Sequence, residues 1–363
     1  MDIIELLKLM VEKRASDLHV RVPSVPVLRV DGELVPLTNQ PQNTMEEVET
    51  AFDFITTPEQ RNRFHLEKEL DFAYSVPGLA RFRVSVMRQR GTISLAFRLV
   101  PFKIFTIDEL ALPNICKELI LKPRGLILVT GPTGSGKSTT MAAMINHLNE
   151  HVACNVVTIE DPIEYLHPNI KCLIAQRDLG DDTKSFDIAL IHALRHDPDV
   201  IVVGELRDFE TVQTAMRAAE TGHLVMGTLH TTDAPQTVDR VIDIFPPNQQ
   251  PQIRLQFSQV LVAVLSQALL PRASGRGRIA AIEIMTGNSA VKNLCREGKS
   301  FELHSVMQLS SAEGMQTLDQ ALANLVRQKI VTIEEAKMKS SHPDRLQKLL
   351  EFQQFGATQQ AKH

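Results

Sequence analysis

The run Gly125-Leu-Ile-Leu-Val-Thr130 leads directly into Gly131-Pro132-Thr133-Gly134-Ser135-Gly136-Lys137-Ser138-Thr139. A helical pattern follows, with apolar residues at Met141, Met144, Ile145 and Leu148. An apolar strand, a glycine loop and a helix are the context that G-x-x-x-x-G-K-[ST] requires to act as a phosphate loop. The glycines let backbone N–H groups turn inward around a polyphosphate, and the new helix adds its positive end. Lys137 is placed to reach the β- and γ-phosphates. The Ser138 hydroxyl is a ligand for Mg²⁺, which keeps most of its waters when bound. Nucleoside triphosphate binding is the first expectation.

The chain after the loop reads as an α/β domain. Asn155-Val-Val-Thr-Ile159 is a second apolar strand ending in Glu160-Asp161-Pro-Ile-Glu164. Carboxylates at the carboxyl end of a strand lie on the edge where α/β proteins bind ligands. Glu160, Asp161 and Glu164 are therefore expected to hold Mg²⁺ through water or to orient an attacking water, unless they form only a polar turn at Pro162. A helix around Phe186–Leu194 precedes Asp199-Val-Ile-Val-Val-Gly-Glu205, four buried apolar residues running into an acid. Nucleotide motors commonly place a metal-proximal aspartate before this glutamate, and here Gly204 stands in its place. Glu205 is read as the general base or water-orienting residue. Metal duty then shifts to Ser138 and the acids near Glu164.

Phe209 to Glu220 reads as a helix, and Gly222-His-Leu-Val-Met-Gly-Thr-Leu-His230 as a buried strand bracketed by two histidines. One such histidine alone is more often structural. His230, at the strand's exit, can sense the γ-phosphate; His223, at its entry, suits the orienting of a loop. Four apolar strands separated by helices predict a parallel sheet covered on both faces. Beyond Asp243 the pattern turns helical, with one long helix expected over Pro251–Leu270. A strand follows at Arg278–Ile284. Short helices are expected at Ser289–Arg296, Met315–Arg327, Thr332–Met338 and Asp344–Phe352, and then a polar, frayed tail.

Residues 1–100 read as a separate α+β domain with a mainly antiparallel sheet. A helix at Ile3–Val11, a strand ending at Val20, and a hairpin of Val27–Val30 and Leu34–Val35 about an Asp31-Gly32 turn come first. Helices near Met45–Ile55 and from Pro58 precede three strands at Glu69–Tyr74, Ala80–Val86 and Ser94–Leu99. Arg81 and Arg83, two apart, share one strand face, and Arg98 lies in the following strand. Taken alone, these arginines fit either a solvated face paired with Glu69 or Asp71, or a guanidinium surface aimed at phosphates. Residues 101–113, bracketed by Pro101 and Pro113, read as a linker and plausible hinge, and residues 114–363 as the nucleotide domain.

The totals narrow the class. At 363 residues there is room for two ordinary domains. A net charge of −4, no Trp and two Tyr argue against a nucleic-acid channel lined with stacking aromatics. Met1-Asp-Ile-Ile-Glu5 carries acids where a signal peptide needs positive charge, and no apolar run approaches the ~18 residues of a membrane span, so a cytoplasmic location is expected. Cys116, Cys154, Cys172 and Cys295 form no C-x-x-C pair and are expected to be reduced rather than zinc-binding.

These motifs together resemble the PilT family of type IV pilus retraction ATPases, within the RecA-like secretion ATPase superfamily. The resemblance runs nearly end to end. It rests on Ala15-Ser-Asp-Leu-His19, Ala80-Arg-Phe-Arg83, the phosphate loop, Thr158-Ile-Glu-Asp-Pro-Ile-Glu164, Asp197–Glu205, Ala219-Glu-Thr-Gly-His223, Gly227-Thr-Leu-His-Thr231 and Gly314-Met-Gln-Thr-Leu-Asp319. It implies a RecA-like P-loop domain with C-terminal helices, an N-terminal PAS-like domain, and a homohexameric ring that hydrolyses ATP with Mg²⁺. It also implies a motor peripheral to the inner membrane that acts on a pilus platform protein. Glu164 and Glu205 match the family's acidic catalytic positions, and His223 and His230 match its two histidines. Arg81, Arg83 and Arg98 match arginines that approach nucleotide, which favours their functional reading. Ala290-Val-Lys-Asn-Leu-Cys-Arg-Glu297 resembles a helix the family needs for retraction, with departures at Val291, Lys292 and Cys295. The chain lacks the four-cysteine motif of pilus assembly ATPases, which favours retraction over extension. An accessory PilU-like motor, a secretion or assembly motor, and more remotely a nucleic-acid translocase remain as alternatives.

Overall fold

Helix starts in the first hundred residues are set by short polar side chains. Asp2 accepts hydrogen bonds from the Ile4 and Glu5 N–H groups and opens α1 (Ile3–Glu12). Reciprocal capping boxes, Thr44 with Glu47 and Thr57 with Gln60, open α2 (Met45–Ile55) and α3 (Pro58–Glu67). The computed structural model describes residues 2–30, 32–100 and 103–360. It divides into two units, Met1–Lys103 with Glu164–Leu166, and Ile104–Ile163 with His167–His363.

The first unit carries β1 (Asp17–Val20), β2 (Val27–Val30), β3 (Glu33–Pro36), β4 (Glu69–Val76), β5 (Ala80–Gln89) and β6 (Thr92–Val100). They form one sheet in the order β3-β2-β1-β6-β5-β4, antiparallel throughout. Strand alternation sorts its faces. Phe82, Val84, Val86 and Phe97 point into a core shared with Leu7, Met10, Phe52 and Phe64, while Arg83 and Arg98 stand on the other face. The β2–β3 hairpin forms as expected, although Asp31 of its turn lies outside the described residues.

In the expected linker, Pro101 and Phe102 lie outside the described residues. Ile107 and Leu112 are buried in the second unit's core, ahead of α4 (Ile115–Ile120), a helix the pattern did not announce. The second unit then runs β7 (Gly125–Thr130), α5 (Lys137–His151), β8 (Asn155–Glu160), β9 (Leu173–Asp178), α6 (Phe186–Ala193), β10 (Val200–Val203), α7 (Phe209–Glu220), β11 (Leu224–Leu229) and α8 (Ala234–Asp243). It continues through α9 (Gln250–Val260), β12 (Leu261–Pro271), β13 (Arg278–Thr286), α10 (Ser289–Glu297), α11 (Leu303–Leu309), α12 (Leu318–Arg327), α13 (Ile333–Lys339) and α14 (Pro343–Gln360). The sheet order is β13-β12-β7-β11-β10-β8-β9, parallel except for the β12–β13 pair.

One expected element is overturned. The long helix over Pro251–Leu270 stops at Val260, and Leu261–Pro271 is a strand beside β7. Leu261 and Val264 enter one core cluster while Ala263 and Leu265 enter the cluster on the other face. A strand buried on both faces is apolar almost throughout, so its period cannot separate it from a buried helix. The strand gains β-branched Val262 and Val264 and two rows of hydrogen-bonded neighbours. The expected four-strand parallel core is thus extended by β9, β12 and β13.

Candidate active site

The phosphate loop leaves β7, a strand buried on both faces. Gly131, Gly134 and Gly136 have φ of 138°, 78° and 91°, the region that favours glycine. A Cβ on Gly131 would also meet the Ser135 Oγ at 2.7 Å. The loop is tied down by β12: Gln267 Nε2 donates to the Ser135 carbonyl at 2.6 Å, and Thr130 Oγ1 donates to Ser266 Oγ at 2.8 Å. Lys137 Nζ folds back over the loop and donates to the carbonyls of Gly131 (2.8 Å) and Pro132 (3.2 Å). Thr133 and Gly134 are exposed at its tip, and Ser138 and Thr139 are half-buried in the first turn of α5. The helix begins at Lys137, so its first N–H groups face the space inside the loop. That arrangement favours a polyphosphate.

Strand register brings the other groups to the same edge. Leu229 pairs with Thr130, and Val203 pairs with both Gly227 and Ile159. Gly131, His230, Glu205 and Glu160 therefore leave neighbouring parallel strands at their carboxyl ends, where α/β sheets hold ligands. Glu205 is only 17% exposed, with Oε2 2.6 Å from Arg207 Nη2 and Oε1 3.1 Å from His230 Nε2. Burial alone would raise its carboxyl, but the Arg207 hydrogen bond and charge, with His230, outweigh burial and hold it below the usual range. Arg207 is raised in turn, chiefly by its hydrogen bond to Glu205. The result is a carboxylate held below its usual range by Arg207 and His230, on the same sheet edge as the phosphate loop.

Gly204 also acquires a reason. A Cβ there would lie 3.1 Å from the Ile159 carbonyl and 3.2 Å from the Glu160 Cα. The Thr228 hydroxyl donates to the Gly204 carbonyl. An aspartate at this position would press on the β8 backbone, which would have to give way by a few tenths of an ångström. Sequence reading passed over Arg207, whose contact with Glu205 depends on the path of the chain beyond β10. Gln267 went unread because its strand was expected to be a helix.

The remaining candidates separate. Glu160 Oε1 accepts from Thr158 Oγ1 at 2.6 Å and from Gln176 Nε2 at 3.1 Å, which holds this carboxylate against β8 and β9. Asp161 is exposed just beyond it, and Glu164 is exposed further along the same loop. His223 lies at the amino end of β11, where its carbonyl accepts from Gly125 N–H and its Nδ1 sits 2.9 Å from the Ala218 carbonyl. Six residues of strand, about 20 Å, separate it from the edge that holds His230. Within this chain His223 is not brought to the phosphate loop.

On the first unit's sheet, Arg83 pairs across strands with Arg98, and Arg98 with Asp17, which pairs in turn with Arg29. Arg98 Nε donates to Asp17 Oδ1 at 2.8 Å and remains 69% exposed. The acid that meets Arg98 is thus Asp17. Burial would raise Asp17, but hydrogen bonds from Ser16 and Arg98 bring it below its usual value. Arg83 is exposed on the same face and Arg81 is half-buried.

No group of three or more His, Cys, Asp or Glu among the described residues could hold a metal ion by itself. A hydroxyl at Ser138 and carboxylates at Glu160 and Asp161 are hard oxygen donors, which suit a cation that keeps its waters and shares phosphate ligands. The residues fit Mg²⁺ carried in with a nucleotide. No helix among the described residues is long and apolar enough to cross a membrane.

Comparison with known proteins places this geometry. Residues 2–347 match the family model described as type II/IV secretion system protein. The type IV pilus retraction ATPase PilT of Pseudomonas aeruginosa is 46% identical, over 95% of this chain and 99% of that protein. The type IV pilus ATPase PilU of the same organism is 40% identical, over 100% and 94%. A crystal structure of the pilus retraction motor PilT with bound ADP superposes with a TM-score of 0.90 at 44% identity, covering 96% of this chain and 99% of that one.

Proposed function

We propose, because this chain belongs to the type II/IV secretion system protein family and to its PilT branch, that it is an ATP hydrolase driving type IV pilus retraction and twitching motility. The observation that carries this reading is the convergence of the phosphate loop, Glu205 and His230 on one sheet edge of a chain 46% identical to a pilus retraction ATPase. ATP lies with its phosphates in the loop from Gly131 to Thr139, with Lys137 exchanging the Gly131 and Pro132 carbonyls for phosphate oxygens. Glu205 orients a water in line with the γ-phosphate and accepts its proton, while His230 reports the γ-phosphate's presence. Ser138 and Glu164, with Glu160 and Asp161 nearby, would hold Mg²⁺, whose charge offsets that on the phosphate oxygens.

The working form is a homohexameric ring at the cytoplasmic face of the inner membrane, moving a platform protein at the pilus base. Arg81, Arg83 and Arg98 reach the nucleotide of an adjacent subunit. His223 acts at a subunit boundary, which suits its distance from this chain's own phosphate loop. The helix Ser289–Glu297 transmits force. Its departures at Val291 and Cys295 are buried apolar positions, and Lys292 Nζ donates to the Gln259 carbonyl at 3.3 Å.

The function is tested by deleting the gene and by assaying the purified protein. Surface pili that no longer retract, together with steady-state phosphate release from ATP, are expected. Loss of pili altogether would transfer the chain to the assembly motors, and absence of turnover would make it a nucleotide-binding regulator. Arg83→Ala is expected to lower hydrolysis by roughly 10³-fold. Its thermal midpoint should hardly move, since the side chain is exposed. An unchanged rate would return these arginines to a solvated sheet face.

A further inference from the structure

Two of the four cysteines face each other at the sheet edge opposite the phosphate loop. Asn155 pairs with Leu173 at the start of the β8–β9 ladder, so Cys154 and Cys172 stand opposite one another just before it. Their sulfurs are 3.3 Å apart, and the Cys172 thiol donates to the Val152 carbonyl at 3.1 Å. Neighbouring strands run ~4.8 Å apart, inside the Cα separation that a disulfide spans. Cys116 and Cys295 are buried in two different core clusters and have no such neighbour among the described residues.

The surroundings are already rigid. Asn149, near the end of α5, accepts from the Ile170 and Cys172 N–H groups through Oδ1 at 3.1 and 3.0 Å. It also donates from Nδ2 to the Pro168 carbonyl at 2.7 Å. The loop's return is thus pinned to the phosphate-loop helix in the register that apposes the two thiols. Cys154 is half-buried and Cys172 is 2% exposed, so a reagent reaches Cys154 first.

We propose that Cys154 and Cys172 are a dithiol modification site that forms a reversible disulfide on meeting a low-molecular-weight disulfide of the glutathione type. Cys154, once deprotonated, attacks one sulfur of the reagent and breaks its S–S bond. The released thiolate takes up a proton, and a mixed disulfide remains on Cys154. Cys172, once deprotonated, then attacks the Cys154 sulfur and expels the second reagent thiol. Two protein thiols are oxidised by two electrons, and one reagent disulfide is reduced to two thiols. The new bond closes a ring of chain from Cys154 to Cys172 that contains Glu160, Asp161 and Glu164. The proposal does not depend on the nucleotide chemistry.

Kinetics follow from the environment. Burial, then the hydrogen bond that the Cys154 thiol donates to the Cys172 sulfur, pushes the Cys154 thiol up to about 12. Little thiolate exists at neutral pH, and the first step should speed up by about tenfold per pH unit through the alkaline range. The test is to incubate the full-length protein with oxidised glutathione at about pH 9 and to read intact mass, free thiols and thermal midpoint. The expected product has lost two hydrogens, retains no glutathione, keeps two of its four thiols and melts higher, all reversed by dithiothreitol. Cys172→Ser is expected to hold one glutathione on Cys154, and Cys154→Ser to keep its remaining thiols. Four surviving thiols in the native protein, a stable glutathione adduct on it, or loss of two hydrogens in Cys154→Ser would each overturn the assignment.

Discussion

Glu205→Gln is expected to bind ATP and to lose turnover by roughly 10²–10⁴-fold. The substitution keeps the size of the side chain and removes the charge and the basic oxygen. In the native site both carboxylate oxygens are engaged, one by Arg207 and one by His230. A glutamine can satisfy only one of these donors with its carbonyl, because its NH₂ group turns another donor toward the second. The site is therefore weakened as a positioning device as well as stripped of its base. Nucleotide binding, which relies on Gly131 to Thr139, should survive. Arg207 and His230 hold the native carboxyl below its usual range, so any acid limb of the rate that belongs to Glu205 should fall below the ordinary carboxylate region. Equilibrium nucleotide binding and single-turnover phosphate release separate the two effects. Near-native release by the variant would remove Glu205 from the chemistry.

What the sequence revealed and what it hid follow one physical division. The phosphate loop was legible because its chemistry is local: glycine spacing, lysine and hydroxyl are fixed by adjacent residues. Glu205 was legible for the same reason, standing at the end of Val-Ile-Val-Val. The partners of these groups come from far along the chain. Gln267 supports Ser135 from β12, whose apolar run has no period to distinguish strand from helix. Asp17 reaches Arg98 across a β1–β6 pairing that links the two ends of the first unit. The edge strand β9, with Leu173 exposed, reads like loop, yet it supplies the Gln176 that fixes Glu160. Register, and not composition, decides which side chains meet at the site.

The second large effect concerns stability, and it resides in Glu283. This residue of β13 is 2% exposed, and its two oxygens accept from the Ala234 N–H at 2.8 Å and the Leu318 N–H at 3.1 Å, the first residues of α8 and α12. It borders a cavity of about 230 Å³ lined also by Asp233, His304, Asp319 and His342. Burial pushes its carboxyl up to about 7; the two N–H donors offset part of this, and the charges of Asp233 and Asp319 add to it. The folded protein therefore holds a proton that the unfolded chain releases near 4.5. The sign follows: this contribution is fully present below the unfolded value and is lost as pH rises through the folded one. Between those limits it amounts to about 3 kcal/mol, and above them it changes no further. Asp17 and Glu205, lowered in the folded state, push the other way, so the native protein's total slope mixes opposing groups. Glu283→Gln isolates the effect. It is neutral at every pH, and its NH₂ group faces one of the two helix N–H donors, a constant penalty. Denaturant unfolding of both proteins at about pH 5 and about pH 8 should show the native advantage over the variant shrinking by about 3 kcal/mol. Asp233, itself raised by burial, titrates within the same cluster, so the shrinkage reports the Asp233–Glu283 pair and not one isolated proton. A difference that stays flat across this range would mean that Glu283 is already ionised in the fold, stabilised by the two helix N-termini it joins.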